Sequence, residues 1–352
     1  MSSPPLPRLV LRADGNATIG LGHVVRLLAL ADMLRDAFRE CLFASCDAVA
    51  LAPLLAEAGL PAAAIPTGLA PAAETAWLRA NLLQASDVLV LDGYAFDQAY
   101  QGALRGAVGR LGYVDDLRAW PVEADVLLNS SPGITEAMYQ LPHLGTELLL
   151  GPAYTLLRPP LLAAAAPPRP PQPIRRVLLC FGGADPRQLT ARCLPLLLPQ
   201  PGLVEIGLLP GPANPGLLAL QQQVVTLGAG RAVLHAPTSA AGLVELLRYY
   251  DCLVGPASTI LIEALVLGVP ALTGYYADNQ RHLADYVGAH GQAYSVGDFT
   301  ALPDAPLQAR LAEGLRWLAH TPRQPYAGPL RPDRLRAILA APLPAARPAP
   351  TH

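Results

Sequence analysis

The residues of this chain best suited to chemistry lie in one run, Arg12-Ala-Asp14-Gly-Asn-Ala-Thr-Ile-Gly20-Leu-Gly22-His23-Val-Val-Arg26. A short apolar run, 9–11, precedes it and an apolar-periodic run, 24–34, follows, so it reads as strand, glycine loop and helix. Gly20 and Gly22 let backbone come close to a ligand, because neither carries a Cβ and positive φ is open to both. The helix behind them aims unpaired N–H groups and its positive dipole end at whatever the loop holds. His23 falls in the first turn of that helix, where a titratable imidazole faces an anion site. The juxtaposition points to chemistry beside a phosphate ester. A histidine near a helix start is ordinarily structural; its place in a glycine loop at a strand's carboxyl end is what turns the reading toward function. The spacing Gly20-x-Gly22-x-x-Val25 also touches the dinucleotide fingerprint, with Asp47 as a candidate acidic partner. The third glycine is missing, however, and His23 stands at the close-approach position, which disfavours NAD.

Five further groups come into question. Phe181-Gly182-Gly183-Ala-Asp185-Pro186 is a second strand-to-helix glycine turn. It is either a plain tight turn or a backbone cradle for phosphate oxygens, with Asp185 capping the next helix. Ser258 and Thr259 put hydroxyls at a helix start, as N-caps or as ligand contacts. Glu263, one turn further into an apolar helix, needs a partner that ribose hydroxyls would supply. Asp278-Asn279-Gln280 offers amides able to read a sugar or a diphosphate. Asp92-Gly93-Tyr94 ends a strand, its phenol either facing the ligand or packing. Asp115-Asp116 also ends a strand and reads as helix-capping rather than as a catalytic carboxylate pair. His23, Asp115 and Asp116 lack metal-ligand spacing, so neither a metal nor any other cofactor is expected.

The elements that must position these groups alternate along the whole chain, which signals α/β construction on parallel sheets. Strands are expected at 9–12, 40–44, 87–92, 111–114 and 126–129, with helices at 24–34, 48–58, 72–83 and 98–107. After a proline-rich stretch the pattern restarts, with strands at 177–181, 204–209, 232–235, 252–254 and 270–273. The helices expected among these are 216–225, 240–249, 259–267, 279–287 and 307–318. This gives a Rossmann-like domain over 1–158, a linker over 159–173 that proline keeps out of any ladder, and a second Rossmann-like domain over 174–340. The proline-rich tail, 341–352, reads as disordered. Two such doubly wound halves are expected to face each other across a cleft, with both glycine loops at strand carboxyl ends.

Composition narrows the partners. The 352 residues are 52% hydrophobic and 15% charged, with a net charge of −2, which gives no attraction to nucleic acid or an anionic membrane. Every basic residue is arginine, which excludes Schiff-base lysines and P-loop lysines. The five cysteines are scattered in apolar runs and read as buried free thiols of a reducing compartment. No signal-peptide pattern opens the chain and no apolar run nears the roughly 20 residues of a membrane span, so a cytoplasmic protein is expected. Oligomeric state is left open, a monomer included.

Taken together these motifs resemble a known family. Arg-Ala-Asp…Ile-Gly-x-Gly-His-x-x-Arg is similar to the UDP-2,4-diacetamido-2,4,6-trideoxy-β-L-altropyranose hydrolases of pseudaminic acid biosynthesis. So are Leu91-Asp92-x-Tyr94, Val114-Asp115-Asp116-Leu117, Leu150-Gly-Pro-x-Tyr154-x-Leu-Leu-Arg158, Phe181-Gly-Gly-x-Asp-Pro186, Ser258-Thr259-x-x-x-Glu263 and Asp278-Asn-Gln280. The signatures occur in order over roughly 8–319. The resemblance implies a GT-B fold related to MurG-type glycosyltransferases. It makes His23 the residue that activates water at the anomeric carbon, puts Tyr94 and Asn279 near the sugar, and has Glu263 hold the ribose. Arg12, Asp14, Gly20, Gly22, Gly182, Gly183, Asp185, Ser258, Thr259 and Gln280 complete the expected substrate contacts. Two positions depart from the pattern: Gly93, where the family often has a larger polar residue, and Pro256-Ala257, where a glycine-rich step is usual and proline removes one N–H donor.

The expected activity is therefore metal-independent hydrolysis of a UDP-linked sugar to UDP and free sugar, with the helix starts after Gly183 and Ala257 stabilising the leaving diphosphate. The alternatives are a MurG-like transferase on the same fold, a UDP-sugar 2-epimerase, and a nucleotide-sugar binding module without catalysis.

Overall fold

The computed structural model describes residues 6–16, 19–211, 214–228 and 230–343. The chain divides into two compact units. One runs to Arg158 and takes the chain up again from Pro329; the other is Pro159–Gly328.

The first unit is built on seven parallel strands, β1 (Arg8–Arg12), β2 (Glu40–Ser45), β3 (Ala62–Ala64), β4 (Val88–Asp92), β5 (Arg110–Val114), β6 (Val126–Asn129) and β7 (Glu147–Leu150). Helices α1 (Gly22–Leu34) and α2 (Ala48–Glu57) cover one face. Helices α3 (Pro71–Asn81) and α4 (Gln98–Arg105) cover the other. Strands buried on both faces need apolar side chains both up and down, which is why β4 reads Val-Leu-Val-Leu before its aspartate and is buried throughout. The strand order is β3-β2-β1-β4-β5-β6-β7. The chain winds outward from β1 to β3, then returns to the far side of β1 with β4. That reversal makes a topological switch point at the carboxyl ends of β1 and β4, the place where open α/β sheets take ligands.

The second unit repeats the plan with β8 (Arg176–Leu179), β9 (Glu205–Leu208), β10 (Ala232–Leu234), β11 (Cys252–Pro256), β12 (Ala271–Tyr275) and β13 (Tyr294–Asp298), ordered β10-β9-β8-β11-β12-β13. Its helices are α5 (Pro159–Ala163), α6 (Leu189–Leu197), α7 (Leu217–Leu227), α8 (Ala240–Tyr249), α9 (Thr259–Val266), α10 (Asp278–Ala289) and α11 (Asp304–His320). The switch point here lies between β8 and β11, which pair in register from Cys252↔Val177 to Val254↔Leu179. Among the described residues no helix is long and apolar enough to cross a membrane.

Two parts of the expected domain plan are corrected. The stretch 159–173 is docked on the second unit rather than being a free linker. It opens as α5, buries Leu161, and donates from the Ala166 and Arg169 backbone N–H groups to the carbonyls of Val266 and Gly268. The Arg169 guanidinium then donates to the carbonyls of Tyr250 and Leu247 at the end of α8. Proline excludes a ladder, but it does not exclude docking through the residues between prolines.

The second correction concerns α12 (Pro332–Leu339), which belongs to the first unit, not to a domain ending at 340. Leu335 and Leu339, one turn apart, are buried in the core beside α1. Leu339 seats where Gly112 of β5 has no side chain. Arg110 donates to the carbonyls of Leu339, Ala341 and Pro342, closing the end of the helix. The expected disordered tail is thus held at its start, while 344–352 lies outside the described residues.

Candidate active site

At the first switch point, β1 hands over to the loop and the loop to α1. Gly20 has φ +77°, a left-handed conformation that favours glycine, and donates its N–H to the Asn16 carbonyl at 2.8 Å. Gly22 adopts ordinary dihedrals, and a Cβ there would meet nothing within 4 Å. Space is open on that side of the backbone. No side chain caps α1 and no acidic residue stands in its first turn, which leaves the positive helix end uncompensated.

His23 enters from this first turn and is only 6% exposed. Its Nδ1 lies 2.7 Å from Oδ1 of Asp92, the last residue of β4, which is wholly buried. Burial alone would raise the Asp92 carboxyl; the Arg26 guanidinium and the His23 contact outweigh it and hold the carboxyl below its ordinary range. An ionised Asp92 can only accept, so Nδ1 carries the proton and donates. Nε2 then presents its lone pair, and it has no hydrogen bond among the described residues. The ring of Tyr94, 38% exposed, packs edge-on against the imidazole at 4.5 Å between centroids and 85° between planes.

Arg26 sits three residues beyond His23, on the same face of α1. Its Nε and Nη2 donate to the two Asp92 oxygens at 2.9 and 2.6 Å, and its Nη1 donates to both Asp116 oxygens at 2.8 and 2.7 Å. Arg26 belongs to the sequence motif without an expected role; its i,i+3 relation to His23 is the signal that points to it. Asp116 was expected to cap a helix and instead pairs with Arg26. Asp115 holds a turn through the N–H groups of Leu117 and Arg118 and accepts from the Tyr139 hydroxyl.

The other first-unit candidates are less open than expected. Arg12 is 1% exposed and donates to Glu74 Oε1 at 2.9 Å and to Asp14 Oδ1 at 2.6 Å, while Tyr100 donates to the same Glu74 oxygen at 2.6 Å. It braces β1 against α3 and α4 instead of reaching a ligand. Asp14 Oδ1 also accepts from Ser45 and from the Cys46 N–H; its Oδ2 has no hydrogen bond among the described residues. Gly93 is explained by Phe96, whose ring would stand 2.9 Å from a Cβ there and also lies under the Arg12 guanidinium.

In the second unit, Gly182 has φ +82° with open space where a Cβ would stand, and Gly183 follows it in the turn after β8. Asp185 was expected both to cap the helix and to touch substrate. It is buried, and its two oxygens accept from the Leu189 and Thr190 N–H groups at 2.8 and 2.9 Å. The cap is real, and both carboxylate oxygens are committed to it. The start of α6 therefore has an internal anion already, which corrects the expectation that this helix end stabilises a diphosphate.

The start of α9 differs. Ser258 is its N-cap residue by backbone geometry but makes no side-chain cap, and Thr259 beside it is half-buried. The hydroxyls are not spent as caps. Glu263 is 5% exposed, and its charge adds to the burial that pushes the Cys180 thiol up to about 12. Asn279 is exposed in the first turn of α10, whereas Gln280 is turned inward, its Oε1 accepting from the Tyr276 N–H at 3.1 Å. Among the described residues no group of three His, Cys, Asp or Glu is placed to hold a metal ion.

No family model matches the chain. It is similar to the UDP-2,4-diacetamido-2,4,6-trideoxy-β-L-altropyranose hydrolase of Campylobacter jejuni, 24% identical over 289 residues, covering 81% of this chain and 97% of that one. The uncharacterized protein MJ1062 of Methanocaldococcus jannaschii is 22% identical over 290 residues, 79% of this chain and 57% of its own. The spore coat polysaccharide biosynthesis protein SpsG of Bacillus subtilis is 25% identical over 164 residues, 46% of this chain and 47% of its own. The chain thus spans only about half the length of these last two. Among solved structures, Acinetobacter baumannii MurG superposes with a TM-score of 0.59 at 13% identity, over 95% of this chain and 99% of that one. A UDP-GlcNAc 2-epimerase from Neisseria meningitidis gives 0.53 at 11% identity, over 94% and 99%. The fold is GT-B.

Proposed function

We propose that this chain is a UDP-sugar-processing enzyme and that its reaction is hydrolysis. The observation that supports the reading most is the His23–Asp92 contact at 2.7 Å, which fixes an Nδ1–H tautomer and leaves Nε2 as a base at the switch point. Similarity to the Campylobacter jejuni hydrolase supports the choice of reaction and of a UDP-linked 2,4-diacetamido-2,4,6-trideoxy sugar, a step of nonulosonate biosynthesis.

In this reading Nε2 takes a proton from water as its oxygen attacks C1. The C1–O bond to the diphosphate breaks, UDP leaves with the electron pair, and the sugar is released with inversion. General-base assistance of this kind typically supplies ~10²–10⁴ in rate. The second unit binds the nucleotide through the Gly182-Gly183 backbone, the uncapped start of α9 and Glu263 on the ribose. The resemblance puts Tyr94 and Asn279 among the sugar contacts.

The test is an acceptor-free assay against a panel of UDP-sugars, run in ¹⁸O-water. UDP release with ¹⁸O in the sugar is the expected result. No release without an acceptor turns the reading to transfer, a C2-inverted sugar turns it to epimerisation, and ¹⁸O in UDP moves the attack to phosphorus. The conclusion that His23 is the base is lost if His23→Asn keeps near-normal turnover.

A further inference from the structure

We infer that Arg26, braced by Asp116, is a positioning residue that holds Asp92 side-on and keeps a second positive charge off His23. The inference rests on the reading of His23 as the base. A buried carboxylate hydrogen-bonded to an imidazole favours the imidazolium, because the opposite charge is close and water is excluded. Left alone, the Asp92–His23 pair would hold a proton on Nε2, and a protonated Nε2 cannot accept one from water. Two features of Arg26 oppose this. Its Nη2 shares Asp92 Oδ1 with His23 Nδ1, donating at 2.6 Å, so the oxygen that would stabilise an imidazolium is already neutralised. The same Nη2 lies 2.9 Å from Nδ1, where an imidazolium would meet a guanidinium directly.

Asp116 limits the effect. It takes Nη1 of Arg26 with both oxygens, so two carboxylates bracket one guanidinium and the cluster keeps one net negative charge. When His23 takes the proton from water during turnover, the cluster becomes neutral instead of positive.

The groups facing the ring come from three elements. Arg26 comes from α1, Asp92 from the end of β4, and Tyr94 from the loop after it. Asp116, Asp115 and Tyr113 stand behind them, at and after the end of β5. Burial and the three carboxylates near it push the Tyr113 phenol far up, so it adds no charge. Asp92 pairs in register with Val114, which brings Asp116, two residues on, to the same end of the sheet.

The experiment follows the protonation and tautomer of His23 by long-range ¹H–¹⁵N NMR on histidine-labelled full-length protein, with its signal assigned by its loss in His23→Asn. The pH profile of kcat/KM for UDP release is measured in parallel. Arg26→Gln should raise the His23 titration by roughly one pH unit or more and carry the acid limb of the profile up with it. Asp116→Asn should move both the other way, by less. Arg26→Lys, which keeps the charge but not the fork, should leave the titration near wild type while lowering kcat. Shifts of the same sign in Arg26→Gln and Asp116→Asn, or no shift in either, overturn the inference. If Arg26→Gln does not fold, Asp116→Asn decides by its downward shift or lack of one. The NMR arm needs no turnover, so a chain that releases no UDP would sink the hydrolase reading while the titration still judged Arg26.

Discussion

At the switch point of the first sheet the strand ends bring together a histidine, an arginine and two aspartates in direct hydrogen-bond contact. The equivalent place in the second sheet carries two consecutive glycines, two hydroxyls that cap nothing, and one buried glutamate. Topology is nearly the same in both; the chemistry available is not. The first is a set of coupled titratable groups, suited to moving a proton. The second offers backbone donors, hydroxyls and a single carboxylate, suited to holding an anion and a sugar hydroxyl. A further contrast lies within the second unit. Both α6 and α9 follow a strand end, yet α6 is closed by Asp185 and α9 is left open. A glycine turn before a helix is therefore not by itself an anion site; the next carboxylate in the chain decides.

The largest expected effect separates proton chemistry from binding. His23→Asn should lower UDP release by ~10²–10⁴ while leaving UDP affinity, measured by calorimetry, near wild type. Glu263→Gln should do the reverse. A hydrogen bond to a charged group is worth ~1.5–3 kcal/mol, so UDP affinity should fall roughly 10- to 100-fold, with release at saturating substrate little changed. Equal losses of both quantities in both variants would erase the division between the two switch points.

Asp92→Asn addresses the first region by pH. The folded Asp92 carboxyl is depressed, so its contribution to stability is complete above the ordinary aspartate range near ~4 and is lost as pH falls through its folded value. The stability gap between wild type and Asp92→Asn in urea should therefore be widest near neutrality and shrink on acidification below ~4. A gap that stays constant to low pH would mean that Asp92 is not held ionised.

Asp185→Ala should cost about 1 kcal/mol through the lost cap, read by urea unfolding. Its effect on UDP affinity should be far smaller than that of Glu263→Gln. Gly22→Ala is the smallest change in stability, within ~0.5 kcal/mol, because a methyl group there meets only open space. A drop in substrate affinity without a drop in stability would locate ligand against that backbone.

Much of this was readable from the residues alone. Long apolar runs bounded by glycine or proline placed most strands and helices to within a few residues, because a doubly covered parallel sheet leaves little freedom in composition. Three of the four edge strands escaped: β3 is three alanines, and β7 and β13 lack a distinctive pattern. His23, in the helix turn after one strand, and Tyr94, just past the end of another, were each legible as separate candidates; the contact between their rings was not. The partners of Arg26 were not, since Asp92 and Asp116 are 66 and 90 residues away in the chain. Arg12 misled for a related reason. Its position in the motif does not reveal that Glu74, 62 residues on, takes its guanidinium inward.

The return of the chain to the first unit at Pro329 has a consequence for biosynthesis. The second unit is one continuous segment, whereas the first needs Leu335 and Leu339 to fill the gap beside Gly112 and α1. During synthesis, domains fold as their residues emerge. The second unit can thus complete its core while the first still exposes an apolar slot, and the unit whose strands come earlier in the chain is the later one to finish folding.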